Sequence, residues 1–110
     1  MNLQCESFGD IRIVHVTGRI DSATSETFGN EIGRIIETGT RQLLLDFTHV
    51  PYINSAGLRV ILIIAKRLKN PGDRCMFCGM ADEIMKVFEL AGFTRILEIY
   101  PTVQDATAHW

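Results

Sequence analysis

Apolar residues at both odd and even positions of residues 11–17 predict a β-strand that is covered on both faces. The segment is rich in isoleucine and valine, which favour an extended backbone. Residues 3–8 precede it and are separated from it by Gly9-Asp10, a sequence typical of a tight turn. We therefore expect an N-terminal β-hairpin whose second strand lies inside a sheet.

The hydrophobic period then changes, and the new spacing predicts an amphipathic helix. Asp21, Ser22 and Thr24 offer side-chain oxygens that can cap its start, and Gly39 is a natural stop. The apolar run Leu43-Leu44-Leu45 that follows is expected to be a fully buried strand that ends in Asp46 and Phe47. The helix presents one apolar stripe at helical spacing, made of Phe28, Ile32, Ile35 and Ile36.

A second helix is expected from near Ala56 to the cations of residues 66–69, which complement the negative end of its dipole. Its apolar residues fall on two faces. The first should pack on the sheet, whereas the second either packs against a neighbouring helix or is a docking patch for another protein. The periodicity of the apolar residues fits both interpretations. In the second one, the partner is either another protein or a second copy of this chain, which would form a homodimer. The first face contains Leu58, Ile61, Leu62, Ala65 and Leu68, and the second contains Val60, Ile63 and Ile64.

The rest of the chain continues the alternation of strands and helices. Residues 75–79 are expected to form a strand, residues 81–91 a helix, residues 96–99 a short strand, and the segment after Pro101 a brief helix. This order favours an α/β fold in which the later strands are parallel and joined by right-handed crossovers. The expected architecture is a mixed central sheet of four to five strands with an N-terminal hairpin and covering helices.

Composition narrows the class of protein. The 110 residues are 46% hydrophobic and 22% charged, as in one ordinary globular domain, and we expect residues 1–110 to form a single unit. A formal net charge of -2 argues against general nucleic-acid binding, and no apolar stretch approaches the ~20 residues that membrane insertion needs. Three cysteines cannot all pair within one chain, and no secretory signal is seen, so we expect a cytoplasmic protein.

Signatures of common enzyme classes are missing from the sequence. There is no P-loop, no strand-anchored GxGxxG and no HExxH, and the carboxylates form no identifiable acid and base pair. His15, His49 and His109 lie in separate contexts and are interpreted as ordinary surface or half-buried residues. We therefore expect a protein that is not an enzyme and that needs neither a metal nor a cofactor.

A CxxC motif at residues 75–78 could suggest a redox pair or half of a zinc site. Here it follows a Pro-Gly-Asp breaker and is expected to lie on a strand. Residues three apart on a strand point to opposite faces, with Cα atoms ~10 Å apart. Since a disulfide tolerates less than ~7 Å, the motif is interpreted as structural, with thiol redox chemistry as the alternative.

The polar pair Asn54-Ser55 lies between a loop and a strongly apolar helix. Either side chain can cap that helix, and from the residues alone capping is the better supported role. A hydroxyl at this position can also be phosphorylated. A phosphate there would carry about -1.5 to -2 charges beside free backbone N–H groups and the positive helix end, so the domain could accept it while a partner is repelled.

Four sequence segments follow one another in a set order. They are Gly18-Arg19-Ile20-Asp21, Leu44-Leu45-Asp46-Phe47, Ile53-Asn54-Ser55-Ala56-Gly57-Leu58 and Val87-Phe88-Glu89-Leu90-Ala91-Gly92-Phe93. In this order they resemble the motifs of the STAS domain of anti-sigma factor antagonists. The first segment resembles the family's G-x-[IL]-D, the third its D-S-[SA]-G-L, and the fourth its hydrophobic helix ending in glycine. The resemblance spans nearly the whole chain.

The resemblance implies a regulatory binding protein. An unphosphorylated antagonist binds an anti-sigma factor serine kinase of ATPase-like fold and so frees the sigma factor; phosphorylation of the motif serine, here Ser55, dissociates the complex. A metal-dependent serine phosphatase restores the active form. The partner-binding residues that the motifs imply here are Asp21, Asn54, Ser55, Ala56, Gly57 and Leu58.

One position departs from the family pattern. Asn54 stands where the family usually has aspartate, which keeps the capping ability but removes a negative charge beside the hydroxyl. Related STAS proteins lack phosphorylation and serve as scaffolds or as subunits of transporter complexes. The alternative function is therefore a non-phosphorylated STAS interaction module.

Overall fold

The computed structural model describes residues 1–109, which form a five-stranded sheet in the order β1-β2-β3-β4-β5. The first pair of strands is antiparallel and the other neighbouring pairs are parallel, which confirms the expected mixed α/β sheet with an N-terminal hairpin. The elements are β1 (Asn2–Phe8), β2 (Ile11–Thr17), α1 (Ser25–Glu37), β3 (Gln42–His49), α2 (Ser55–Arg67), β4 (Arg74–Cys78), α3 (Asp82–Leu90), a 3-10 turn (Phe93–Arg95), β5 (Glu98–Tyr100) and α4 (Val103–Ala108).

The larger core lies between one face of the sheet and helices α1, α2 and α3. Phe47 of β3 is fully buried at its centre, with its ring centroid 6.4 Å from that of Phe28, 5.7 Å from Phe77 and 6.4 Å from Phe88. These edge-to-face contacts add to the free energy of burying the rings. The alternation along β3 and β4 explains the arrangement, because every second residue turns to this side.

A smaller core covers the opposite face of the sheet under α4. It contains Ile11, Ile13, Leu44, Met76, Cys78 and Ala106. All of the strand residues among them are buried, so β2, β3 and β4 are covered on both sides, as their uninterrupted apolar runs predict.

The CxxC segment lies on β4, as expected. Cys75 packs against the larger core and Cys78 belongs to the smaller one, so the two side chains are on opposite faces of the sheet. Both thiols are free, and removal from water raises the pKa of each to about 12. Such thiols stay protonated, which is the opposite of what a redox pair requires.

The prediction for the last strand was partly wrong. The strand was expected at residues 96–99, whereas β5 covers Glu98–Tyr100 and Ile96 is 64% exposed. The 3-10 turn before it was not anticipated; its residues follow Gly92, which has a φ of 79° and ends α3. A three-residue edge strand carries too little periodicity to fix its own bounds.

Candidate functional site

Two segments that are far apart in sequence meet at one end of the sheet. Ile20 and Ile53 form an isolated parallel bridge beyond the ends of β2 and β3, and both are buried. The Ile20 N–H donates to the Tyr52 carbonyl at 3.0 Å, and the Asn54 N–H donates to the Ile20 carbonyl at 3.2 Å. The bridge therefore holds the loop before α1 against the loop before α2.

Asn54 is the N-cap of α2. Its backbone is extended, with φ -120° and ψ -171°, and its Oδ1 accepts hydrogen bonds from the N–H groups of Ala56 at 3.1 Å and Gly57 at 3.3 Å. Two of the amide groups that a helix start leaves without partners are thus satisfied. The sequence left the cap open between the two neighbouring polar residues, and the structure assigns it to Asn54.

Ser55 is the first residue of α2, and its side chain is exposed. The interpretation of Ser55 as a cap is wrong, because it already has helical backbone geometry while Asn54 accepts the amide hydrogens. Among residues 1–109, the Ser55 hydroxyl makes no hydrogen bond that would tie it to the fold. The hydroxyl is therefore accessible and has no structural task within the described chain.

Gly57 allows the tight packing under Asn54 and Ser55. A Cβ atom at this position would lie 2.7 Å from Cγ1 of Ile53, 2.8 Å from Cγ2 of Ile20 and 2.8 Å from the Ile20 carbonyl oxygen. Real Cβ contacts are longer, so the start of α2 can approach the Ile20–Ile53 bridge only with glycine here. Leu58 and Ala56, its neighbours, are half-buried.

Asp21 stabilises the loop that faces Asn54. Its Oδ1 accepts hydrogen bonds from the N–H groups of Ala23 at 3.0 Å and Thr24 at 3.2 Å. Partial burial acts against ionisation, but hydrogen bonds from Ala23, Arg19 and Thr24 hold the pKa of the Asp21 carboxyl below its ordinary value. The adjacent Ser22 accepts a long hydrogen bond of 3.5 Å from Asn54 Nδ2, so the two loops are in contact.

Arg19 and Tyr52 form a pair that the sequence did not reveal. The Arg19 guanidinium carbon lies 4.2 Å from the centroid of the Tyr52 ring, which is a cation–π geometry, and Arg19 Nε lies 3.4 Å from Asp21 Oδ2. The pair joins the same two loops on their exposed side. Arg19 follows the motif glycine and Tyr52 precedes the motif isoleucine, but no pattern in the sequence indicates that they meet.

A groove of about 410 Å³ runs between α1 and α2 from the neighbourhood of Ser55. Val60 packs close to Gly29 of α1, where a Cβ atom would lie 3.0 Å from Val60 Cγ1. Ile64 is buried in the core, whereas Ile63 is 53% exposed at the side of the groove. The second apolar face of α2 is therefore divided: Val60 and Ile64 meet the neighbouring helix and core, and Ile63 faces outward.

From its sequence context, His15 is interpreted as an ordinary surface or half-buried histidine, but the structure gives it two specific carboxylate partners. It is half-buried on β2, and its ring nitrogens lie 2.7 Å from Asp46 Oδ2 and 2.9 Å from Glu6 Oε1. Burial lowers the pKa of His15, but the hydrogen bonds to Glu6 and Asp46 outweigh it, and the pKa is raised above 6.5. Burial also opposes ionisation of Asp46, yet hydrogen bonds from Thr48 and His15 keep the pKa of this carboxyl below its ordinary value.

The described part of the chain shows neither a metal site nor a membrane span. Among residues 1–109, no three His, Cys, Asp or Glu side chains are grouped so that they could hold a metal ion. No helix in this range is long and apolar enough to cross a bilayer.

Similarity to known proteins was found at the level of family, sequence and structure. The family model described as STAS domain matches residues 2–106. BtrV of Bordetella bronchiseptica, assigned by name as an anti-sigma factor antagonist, is 32% identical over 108 residues that cover 98% of this chain and 93% of that protein.

The solved structures agree on the fold. An anti-sigma factor antagonist structure from Thermotoga maritima superimposes with a TM-score of 0.92 at 20% identity, covering 97% of this chain and 92% of that one. The phosphorylated form of the Bacillus cell fate determinant SpoIIAA gives a TM-score of 0.72 at 18% identity, covering 98% of both chains. The motif segments, the sheet order and the extent of these matches show that the chain belongs to the STAS domain family.

Proposed function

We propose that this protein is an anti-sigma factor antagonist that binds an anti-sigma factor serine kinase of ATPase-like fold and is released when that kinase phosphorylates Ser55. The observation that carries the proposal is the exposed Ser55 hydroxyl at the first position of α2, unbonded within the described chain while Asn54 caps the helix. The relationship to BtrV, which bears the name of an anti-sigma factor antagonist, supports the same assignment.

The modification is a transfer of the terminal phosphoryl group of ATP. The Ser55 oxygen forms a bond to the γ-phosphorus, the bond from that phosphorus to the β–γ bridging oxygen breaks, and ADP leaves. A base on the kinase takes the hydroxyl proton, so the antagonist supplies only the acceptor oxygen. Because Ser55 is exposed, the reaction requires no unfolding of α2. Because the proposed reaction uses ATP, we expect the switch to operate in the cytoplasm.

The folded domain can accept the phosphate because of where Ser55 lies. The start of a helix carries partial positive charge and amide hydrogens that point towards an anion. Asn54 continues to satisfy the Ala56 and Gly57 amides, so the cap does not depend on the modified side chain. SpoIIAA, which has the same fold, has a solved structure in a phosphorylated form, and this supports the proposal that the fold accepts a phosphate.

The partner-binding surface in this proposal consists of the two loops joined by the Ile20–Ile53 bridge and the first turn of α2. A phosphate adds about -1.5 to -2 charges at the centre of this surface. A kinase surface that fits the neutral hydroxyl then buries an unpaired charge, which costs several kcal/mol of binding free energy. The residues of this surface are Asp21, Asn54, Ser55, Ala56 and Leu58, and the buried Gly57 supports them from below.

A metal-dependent serine phosphatase completes the cycle. Water attacks the phosphorus, the bond from phosphorus to Ser55 Oγ breaks, and inorganic phosphate leaves while the serine oxygen regains a proton. The metal belongs to the phosphatase. The antagonist itself acts by binding rather than by catalysis, as expected of this family.

The test compares substitutions at Ser55 for binding to the purified anti-sigma factor kinase of the same organism. We expect Ser55→Asp to weaken binding at least tenfold, or about 1.4 kcal/mol, because it adds part of the phosphate charge. Ser55→Asn has the same size without the charge and should bind much more tightly than Ser55→Asp. Equal affinities of Ser55→Asp and wild type would reject the proposal. Mass spectrometry of the protein from its own cells, under growth and stress, then shows whether Ser55 carries phosphate.

A non-phosphorylated interaction module is the second candidate, and Ile63 is the observation that favours it. This side chain is 53% exposed beside the groove between α1 and α2, and Asn54 lacks the charge usual in the family. If the protein acts in this way, Ile63→Glu abolishes a complex or dimer while the fold survives. Lys66→Glu, an exposed change on the same helix, is the control. Unchanged assembly and partners in Ile63→Glu would reject this use of the face.

A further inference from the structure

Arg59 lies one helical turn after Ser55, and its guanidinium has no counter-ion within the described part of the chain. It is exposed on α2, four residues after the serine, and lines the groove between α1 and α2. Within residues 1–109, no carboxylate lies within salt-bridge distance of its guanidinium. The other charged residues lining this groove are Glu26 of α1 and Arg67, whose guanidinium is 4.0 Å from a carboxylate oxygen of Glu37.

Helix geometry directs Arg59 towards Ser55. Residues four apart on a helix lie on one face with Cβ atoms about 5–6 Å apart. Because Cα–Cβ bonds tilt towards the helix N-terminus, the longer side chain at the later position extends over the earlier one. The side chain of Arg59 therefore reaches a phosphate on Ser55 Oγ. Arg67, on the last turn of α2, lies too far along the helix to do so.

We propose that Arg59 forms an ion pair with the phosphate of phosphorylated Ser55 and thereby reads the modification state of that residue. This inference rests on the proposed function, since it concerns the same serine after phosphoryl transfer from ATP. The planar guanidinium presents parallel N–H donors that match two phosphate oxygens. The only covalent change is the phosphoester at Ser55. Arg59 contacts the phosphate through charge and hydrogen bonds alone.

The proposed ion pair between Arg59 and the phosphate changes the charge in the groove between α1 and α2 as well as at Ser55. In the unmodified chain, Arg59 has no carboxylate partner among residues 1–109 and offers a cation next to the apolar side chains of Val60 and Ile63. In the phosphorylated chain, that cation is held at the start of α2 and is no longer available to an acidic group of a partner. One phosphate thus alters the charge at the helix start and in the adjacent groove.

The experiment measures the second pKa of the phosphate by phosphorus NMR in full-length protein synthesised with phosphoserine at position 55. We expect Arg59→Gln to raise this pKa by about 0.5, because removal of the cation disfavours the dianion. Arg67→Gln is the matched control. It lies twelve residues from the serine on the same helix, about 18 Å along the axis, and should leave the pKa unchanged because salt screens charges beyond about 8 Å.

The outcomes separate this inference from the proposed function. An unchanged phosphate pKa in Arg59→Gln, with the circular dichroism spectrum of the wild type, would overturn the ion pair. An equal rise in Arg59→Gln and Arg67→Gln would also overturn it, because a general loss of positive charge would then explain both. The phosphate is introduced during synthesis, so the measurement stands whether or not a kinase acts on Ser55. Failure of the kinase experiments would reject the proposed function alone.

Discussion

His15 Nδ1 lies 2.7 Å from Asp46 Oδ2, so the imidazole of β2 is tied to a carboxylate of β3 that is 8% exposed. Its other ring nitrogen lies 2.9 Å from Glu6 Oε1 on β1. One side chain therefore connects three adjacent strands close to where the motif loops leave the sheet. A protonated imidazole donates to both carboxylates, whereas a neutral one donates from a single ring nitrogen.

The stability of the protein should depend on the protonation of His15. The pKa of His15 is raised in the folded chain, so its contribution is fully present below the unfolded value of 6.5 and is lost as pH rises through the higher folded value. The pKa of Asp46 is lowered, so its contribution is present above the unfolded value of 3.8 and is lost as pH falls through the folded value.

Urea denaturation between pH 5 and pH 8 measures this dependence. We expect the free energy of unfolding of the wild type to fall as pH rises through this range, and His15→Gln to show a smaller fall. His49→Gln changes an exposed histidine and is the control. The same pH dependence in wild type and His15→Gln would contradict the assigned role of the Glu6–His15–Asp46 contacts.

Substitution of the helix cap should reveal which atom stabilises the start of α2. We expect Asn54→Ala to lower the free energy of unfolding by about 1 kcal/mol, because the Ala56 and Gly57 amides lose their acceptor. Asn54→Asp retains an acceptor and places a negative charge at the positive helix end, so its stability should equal or exceed that of wild type by about 0.3–1 kcal/mol. Thermal and urea denaturation measure the stability of both variants. Equal destabilisation by alanine and aspartate would show that loss of the cap acceptor does not cause the effect.

The close packing at Gly57 predicts an unusually costly alanine substitution. Its Cβ would meet Ile53, Ile20 and the Ile20 carbonyl oxygen at 2.7–2.8 Å, so Gly57→Ala must displace α2 or the bridge, at a cost of about 1–3 kcal/mol. Ser55→Ala on the same helical turn removes no hydrogen bond within the described chain and should change stability by less than about 0.5 kcal/mol. A Gly57→Ala variant as stable as wild type would refute the tight approach.

Thiol reactivity should distinguish the three cysteines. Cys5 is exposed, whereas burial raises the pKa of Cys75 and of Cys78 to about 12. We expect one thiol to react rapidly with a chromogenic disulfide in the native protein and the other two to react only on unfolding. After mild oxidation, mass spectrometry should show no Cys75–Cys78 bond. Detection of that bond in folded protein would restore the redox hypothesis.

The sequence determined the features that depend on local periodicity. The hairpin, the buried strands and the amphipathic helices follow from the spacing of apolar residues, because a strand repeats every two residues and a helix every 3.6. The placement of the CxxC segment on a strand followed from the Pro71-Gly72-Asp73 breaker that precedes it. The motif order was sufficient to indicate the family, since it covers most of the chain.

Tertiary structure alone decided the relationships between segments distant in sequence. The loops that carry Asp21 and Asn54 meet because Ile20 and Ile53 form a parallel bridge beyond the ends of β2 and β3, a contact that no local pattern specifies. Asn54 rather than Ser55 caps α2 because the backbone is extended at one and helical at the next, although both side chains can accept an amide hydrogen. His15 acquires two carboxylate partners from neighbouring strands in the same way. Local spacing selects the elements, whereas strand pairing selects which side chains become neighbours.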